Sequence, residues 1–406
     1  MPAAQGTRRQ PMTSTPRAPN TEHRTPSSTA AAILTPLGHG GIAILHVLGP
    51  RAFDVASQVF RPKSGAPLQP DARRLLYGHV VDNGEVVDEV LVRLVPANET
   101  RSQEPTVEIN CHGGLVAVQR VLECLARRGV EPIEPDALIR RRARSQTEAE
   151  AAHALTQATT PLGVETLLDQ LNGALEAALR SLPWHQPSEV ATALRDLLAT
   201  ERLGHAFWRP PRVAVVGPTN AGKSTLFNAL AREERMIVSP QPGTTRDAVS
   251  AEVAIGGLPV WLTDTAGERE PGSIIEVEAV ARSRSAAAEA ALVLLVFDGS
   301  APPPIPLATL QAAIPNPQLL ILNKADLGLA PWTRDLVEAI EVSAIRGTAL
   351  DELCRRIVET LVGEARYEPG RPVLFTLRQA GLVREALSAL EAGDLDAAQA
   401  HVSEIL

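Results

Sequence analysis

The sequence predicts a multi-domain α/β and α protein. A mostly parallel α/β domain, residues 209–365, is expected to be inserted into a helical domain and preceded by a small α+β domain. Three observations lead to this prediction: a glycine-rich loop at 217–224 joins a strand pattern to a helix pattern, residues 136–208 and 366–406 show helical spacing, and residues 29–135 alternate short strands with turns. A chain of 406 residues is long enough for two or three domains.

The composition excludes some broad classes of protein. The net charge of −8 gives no overall signature of polyanion binding, and the arginine-rich run at 140–144 is expected to be a solvated helix face rather than an RNA contact. Cys111, Cys124 and Cys354 show neither metal-ligand spacing nor a disulfide framework. No apolar run approaches the ~20 residues of a spanning helix, so we expect a cytoplasmic protein without a membrane partner.

The first 135 residues are expected to contain a tail and the small α+β domain. Residues 1–28 are rich in Pro, Ser, Thr and Arg, contain Glu22 as their only acidic residue, and are expected to be a disordered tail. The α+β domain should end in a helix at 115–128. Its expected strands are 30–34, 41–48, 75–82, 86–95 and 105–110.

The loop from Gly217 to Ser224 has the phosphate-binding pattern G-x-x-x-x-G-K-S. Its glycines let backbone N–H groups approach phosphate oxygens, and the following helix adds positive potential at its N-terminus. Lys223 would reach the β- and γ-phosphates, and the Ser224 hydroxyl would bind Mg²⁺. The chain has only three lysines, so a lysine at this position suggests that arginine would not serve there. The nucleotide-binding residues predicted in this loop are Asn220, Ala221, Gly222, Lys223, Ser224 and Thr225.

A second motif, Asp264-Thr265-Ala266-Gly267, follows an apolar strand that includes Leu262. An aspartate at a strand end can hold Mg²⁺ through water, and the Gly267 amide can sense the γ-phosphate. We therefore count Asp264, Thr265, Ala266 and Gly267 among the predicted nucleotide-binding residues.

Two later motifs predict which base is bound. Asn323-Lys324-Ala325-Asp326 follows an apolar strand, and the Asp326 carboxylate can accept both N1–H and N2–H of guanine, a pair that adenine lacks. Asn323 and the Lys324 stem would enclose the base, and backbone N–H groups at Ser343 and Ala344 would meet guanine O6. Because all these motifs end strands of one open sheet, they predict a Ras-like domain that binds a guanine nucleotide.

Between the first two motifs, Gly243-Thr244-Thr245-Arg246-Asp247 resembles the signature of the Era, EngA and TrmE group of GTPases. Thr245 would be the second protein ligand of Mg²⁺. The resemblance implies that Asn220 helps to hold K⁺. The ion would neutralise the charge that develops during hydrolysis. The other implied K⁺ ligands are Ser239, Gln241 (through its backbone) and Thr244. Pro240 and Pro242 flank Gln241 and depart from the pattern.

Much of the chain resembles the MnmE (TrmE) family of tRNA wobble-uridine modification GTPases. The matching segments are Thr29–Ala32 with Thr35–Leu45, Val107–Gly114, Glu148–Ala151 with Ala158–Thr160, and Pro372–Gln379. The resemblance implies a role with tRNA and a flavin-dependent partner protein, and a homodimer. It also places at Glu276 a glutamate that orients the attacking water. Glu268, directly after Gly267, is the alternative for that role.

The chain departs from the family where the family binds a reduced folate. In the family, an arginine and a glutamate help to bind the folate. His46 occupies the position of that arginine, whereas the glutamate is present as Glu108. A lysine-containing segment is missing near 140–147, and the chain ends at Leu406 without the family's Cys-Ile-Gly-Lys. Because a folate is anionic and these departures remove cationic contacts, we expect folate binding to be weak or absent. The alternative function is therefore a GTPase switch that has lost the folate chemistry and regulates a protein partner.

Overall fold

The computed structural model describes residues 28–36, 38, 40–71, 73–233, 249–264 and 287–406. The chain separates into two compact units that divide after Leu138. In the described parts of the chain, no helix is both long and apolar enough to cross a membrane.

The first unit is a seven-stranded sheet with helices on one face. In chain order its elements are β1 (Ala30–Ile33), β2 (Ile42–Leu48), α1 (Ala52–Val59), β3 (Phe60–Pro62), β4 (Leu76–Asp82), β5 (Glu85–Val95), β6 (Thr106–His112), α2 (Leu115–Ala126) and β7 (Glu131–Pro132). The strand order is β3-β4-β5-β6-β2-β1-β7, and all neighbours are antiparallel except β1 and β7.

Side chains alternate between the two faces of this sheet, as the period of two requires. Leu45, Val92 and Ile109 are buried in a core that includes Val55 of α1 and Val121 of α2. The intervening residues of β2, β5 and β6 therefore lie on the opposite face. The sequence missed β3 and β7, which have only three and two residues, too few for a periodic signal.

The second unit begins with a run of helices, two of which start at side-chain caps. After α3 (Pro135–Arg142), the helices are α4 (Gln146–Leu155), α5 (Pro161–Leu171), α6 (Ala174–Arg180), α7 (Pro187–Leu198) and α8 (Glu201–Ala206). The Ser145 hydroxyl caps α4, and the Thr160 hydroxyl caps α5 with Pro161 in its first turn. These local signals explain where α4 and α5 begin.

The α/β part follows directly. Its elements are β8 (Arg212–Val216), α9 (Lys223–Glu233), β9 (Val249–Ile255), β10 (Leu258–Asp264), β11 (Leu292–Asp298), α10 (Leu307–Ala313), β12 (Gln318–Asn323), β13 (Ile340–Glu341) and α11 (Leu350–Val362). The order is β13-β12-β11-β8-β10-β9, and only β9 with β10 is antiparallel. The carboxyl ends of β8, β10, β11 and β12 therefore meet at one edge.

Two final helices, α12 (Leu377–Glu391) and α13 (Leu395–Ile405), return to the helical part. Thr376 and Gln379 form a capping box at the start of α12. One apolar core contains Leu167 of α5, Leu294 of β11 and Val383 of α12. The arrangement confirms the predicted fold class, whereas the exact domain boundaries stay predictions.

Candidate functional site

The loop between β8 and α9 has a backbone that needs glycine. Gly217 and Gly222 have φ of +153° and +87°, and Asn220 has φ of +62°. A Cβ at Gly217 would lie 2.0 Å from the Val296 carbonyl oxygen, and one at Gly222 would lie 2.3 Å from Asn323 Nδ2. Both distances are shorter than real Cβ contacts, so the glycines allow the loop to pack against β11 and the end of β12.

Lys223 lies beside this loop in a partly buried position. Its Nζ donates to the Pro218 carbonyl oxygen at 2.9 Å. Burial lowers the pKa of Lys223, and the nearby Asp264 carboxylate opposes that shift. A phosphate at the loop would favour the charged ammonium, so the environment of Lys223 fits an anionic ligand.

Asp264 and Ser224 place side-chain oxygen atoms at the same edge. Asp264 ends β10, is 4% exposed, and lies opposite Val215 in the parallel pairing with β8. Ser224 is exposed in the first turn of α9. A carboxylate and a hydroxyl are hard oxygen donors, which suits Mg²⁺.

Asn323, at the end of β12, joins two loops. Its Nδ2 donates to the Ala221 carbonyl oxygen at 3.0 Å, and its Oδ1 accepts from the Ala344 backbone N–H at 3.1 Å. The side chain is almost fully buried, so both bonds are shielded from water. Asn323 thus fixes the position of the phosphate loop relative to the Ser343–Ala344 loop.

Lys324 and Asp326 follow in a tight turn, in which Lys324 has φ of +64°. The Ser343 hydroxyl donates to Asp326 Oδ1 at 2.6 Å, and Arg346 Nε lies 3.6 Å from Asp326 Oδ2. Lys324 Nζ lies 2.6 Å from Asp298 Oδ2. The Asp326 carboxylate and the Lys324 side chain are both held in place by neighbouring side chains.

Asp298, at the end of β11, was not among the predicted site residues. Burial raises the pKa of its carboxyl, but hydrogen bonds from Lys324 and Ser300 outweigh burial and bring that pKa below its usual value. The sequence did contain a signal for Asp298, since it ends an apolar strand just as Asp264 does. Sequence reasoning also missed Arg346, because its contact with Asp326 depends on the conformation of the loop that begins at Ser343.

The described site residues come together at one edge of the sheet, but several predicted residues lie outside the described parts of the chain. These are Ser239, Gln241, Thr244, Thr245, Thr265, Ala266, Gly267, Glu268 and Glu276. Their roles stay predictions.

The first unit places the two predicted folate residues side by side. His46 of β2 and Arg93 of β5 both pair with Glu108 of β6 in register. Arg93 Nη2 lies 2.6 Å from Glu108 Oε2, His46 Nε2 lies 3.7 Å from it, and Asn110 Nδ2 donates to Glu108 Oε1 at 3.1 Å. Burial raises the pKa of Glu108, but bonds from Asn110 and Arg93 outweigh burial and lower it. Sequence reasoning missed Arg93, whose cross-strand partner depends on register.

Comparison with known families identifies two segments of the chain. Residues 29–143 match the family described as GTP-binding protein TrmE N-terminus, and residues 212–324 match the family described as 50S ribosome-binding GTPase.

Curated relatives extend the similarity over most of the chain. The tRNA modification GTPase MnmE of Streptococcus thermophilus is 33% identical over 401 residues, which cover 90% of this chain and 88% of the relative. The protein of the same name from Levilactobacillus brevis is 34% identical over 411 residues, with 89% and 87% covered.

Among solved structures, Era of Aquifex aeolicus is 27% identical, with a TM-score of 0.30 over 44% of this chain and 66% of that chain. The G domain of the FeoB iron transporter of T. maritima is 28% identical, with a TM-score of 0.29 over 37% of this chain and 98% of that chain.

Proposed function

The chain belongs to the MnmE family, which confirms the predicted GTPase, and on this premise we propose that it couples GTP hydrolysis to tRNA wobble-uridine modification. One observation supports the nucleotide part above all. Asn323 bonds both the phosphate loop and the Ser343–Ala344 loop, so the phosphate and base ends of the site form one connected arrangement.

Guanine selectivity follows from Asp326. Its carboxylate accepts from two adjacent N–H groups, which guanine offers and adenine does not. We expect the chain to bind GTP and GDP but not ATP, and Asp326→Asn to shift its preference toward xanthine nucleotides. Titration with fluorescent GDP, GTP, ATP and xanthosine diphosphate measures this. Equal affinity of the unmodified protein for ATP and GTP would contradict the assignment.

Hydrolysis is proposed to need two cations. Ser224 and Thr245, with Asp264 through water, would hold Mg²⁺, which neutralises charge on the phosphates. Asn220 and the loop containing Ser239, Gln241 and Thr244 would hold K⁺, and Glu276 would orient the attacking water. The support for the K⁺ site is family resemblance and the exposed, left-handed Asn220.

Turnover measurements separate these roles. We expect faster GTP hydrolysis in KCl than in NaCl, loss of nucleotide binding in Lys223→Ala, and loss of turnover with retained binding in Glu276→Ala. Glu268→Ala is the matched variant. If it stops turnover while Glu276→Ala does not, the two glutamates have been assigned the wrong way round.

The tRNA role is proposed to require tRNA, a flavin-dependent partner protein and a homodimer of this chain, all in the cytoplasm. Mass analysis of tRNA nucleosides from a strain lacking the chain tests this role. Loss of the wobble modification, restored by the wild type but not by Lys223→Ala, is the expected result. Unchanged tRNA would favour the alternative, a GTPase switch that regulates a protein partner.

The alternative has one specific observation in its favour, the altered folate residues. His46 replaces the family's arginine, and Arg93 and Asn110 each already donate to one oxygen of the Glu108 carboxylate. We propose that a reduced folate binds weakly or not at all, because the folate must compete with Arg93 for Glu108. Calorimetric titration with 5-formyl-tetrahydrofolate, with and without GTP, tests this proposal. A dissociation constant in the micromolar range or tighter would show a working folate pocket.

A further inference from the structure

The Asp326 carboxylate is held by two side chains that follow it in the sequence. The Ser343 hydroxyl bonds Oδ1, and the Arg346 guanidinium lies beside Oδ2. The Asp326 side chain is 13% exposed and that of Arg346 is 68% exposed. Arg346 is therefore the exposed member of this pair, and Asp326 is the largely buried one.

The two contacts leave room for a base. A carboxylate offers about four acceptor positions, two on each oxygen. Ser343 uses one position on Oδ1. At 3.6 Å, Arg346 Nε is within ion-pair range of Oδ2 but beyond a hydrogen bond, so it takes up no acceptor position on that oxygen. Each oxygen keeps a position for one N–H group of guanine.

We propose that Arg346 is a positioning residue for guanine recognition, which fixes the Asp326 carboxylate so that its two oxygens face N1–H and N2–H together. The inference rests on the proposed guanine nucleotide site. The backbone of Arg346 contributes as well, since its N–H donates to Ser343 Oγ at 3.3 Å. That bond directs the Ser343 hydroxyl proton toward Asp326.

The test compares GDP with inosine diphosphate, whose base lacks the N2 amino group. Competition titrations against fluorescent GDP would be made with wild type, Arg346→Gln, Arg346→Lys and the control Arg334→Gln, which removes another exposed arginine of the same unit. We expect Arg346→Gln to weaken GDP binding about two- to fivefold and inosine diphosphate binding less, so that the GDP preference shrinks. Arg346→Lys should restore part of the preference, and Arg334→Gln should leave it unchanged.

Salt provides a second measurement that needs no variant. Because the Arg346–Asp326 pair is exposed, raising NaCl from about 0.05 M to about 0.5 M should reduce the wild-type preference for GDP over inosine diphosphate. Equal losses for both nucleotides, tighter GDP binding in Arg346→Gln, or a salt-independent preference would overturn the inference. Failure of wild type to bind either nucleotide would instead refute the guanine nucleotide site itself.

Discussion

The imidazole of His112 is held by a single carboxylate in the first unit. Asp88 accepts from the His112 backbone N–H at 2.9 Å and lies 2.7 Å from its Nδ1. The hydrogen bond with Asp88 is the main cause that raises the pKa of His112 above its usual value. His112, the last residue of β6, is thus an oriented and more basic group.

We expect Asp88→Asn to lower the pKa of His112 toward the usual value, because the variant loses the negative charge and one of the two acceptor oxygens that favour the imidazolium. Since the folded pKa is raised, the contribution of this pair to folding is present below the unfolded pKa of about 6.5 and is lost as pH rises through the folded pKa. An NMR titration of the His112 ring measures the shift. Asp54→Asn, at an exposed position of α1, should leave the titration unchanged.

At this scale the sequence predicts residues that belong to local motifs and misses those whose partners are distant. Asp264 and Asn323 end parallel strands and Lys223 begins the helix that follows β8, so topology alone brings them together. Arg93 and Asp298 act through a neighbouring strand or a loop that follows one. Their partners depend on strand register and loop folding, which periodicity does not specify.

At the scale of elements, the segment 373–375 shows how the chain re-enters the helical part after the α/β part. Its backbone groups are bonded by side chains of the helical part. Val373 N–H donates to Gln170 Oε1, Leu374 N–H donates to Thr200 Oγ1, and the Phe375 carbonyl oxygen accepts from Trp208 Nε1. For three backbone groups of the segment, these side chains take the place of a strand partner.

This packing requires glycine at position 204. A Cβ there would lie 2.2 Å from the Leu374 carbonyl oxygen and 2.5 Å from Val373 Cγ1, whereas a Cβ at Gly381 in α12 would meet open space. Gly204→Ala should lower the free energy of unfolding by about 1–3 kcal/mol through overpacking. Gly381→Ala should raise it by about 0.5–1 kcal/mol through helix propensity. Urea unfolding of both variants measures the difference, and equal effects of the two alanines would contradict the close approach.

The sequence predicted most long elements but could not predict this approach. Patterns of 3.6 and two residues identify α5, α12, β5 and β12, since each buries one face or a continuous apolar run. Position 204 looks like any glycine in a helix, and only the return of a segment far along the chain explains it.

At the scale of the whole molecule, the two units have separate cores. One core is built from residues between Ala31 and Val130, and another joins the helical segments to the α/β sheet of the second unit. Because the helical and α/β parts of the second unit share a core, we expect them to unfold together. The first unit has its own buried apolar core, so we expect it to unfold separately. Two thermal transitions should therefore be resolved.

Calorimetry of two core variants and of the GDP complex tests this organisation. Leu45 and Leu294 are fully buried in the first and second units, and replacing either by alanine should cost about 2–5 kcal/mol in its own unit. We expect Leu45→Ala to lower one transition and Leu294→Ala the other. GDP should raise only the transition that Leu294→Ala lowers, because a ligand stabilises the unit that holds its site. If either variant shifts both transitions equally, or if GDP raises the transition sensitive to Leu45, the units do not unfold independently.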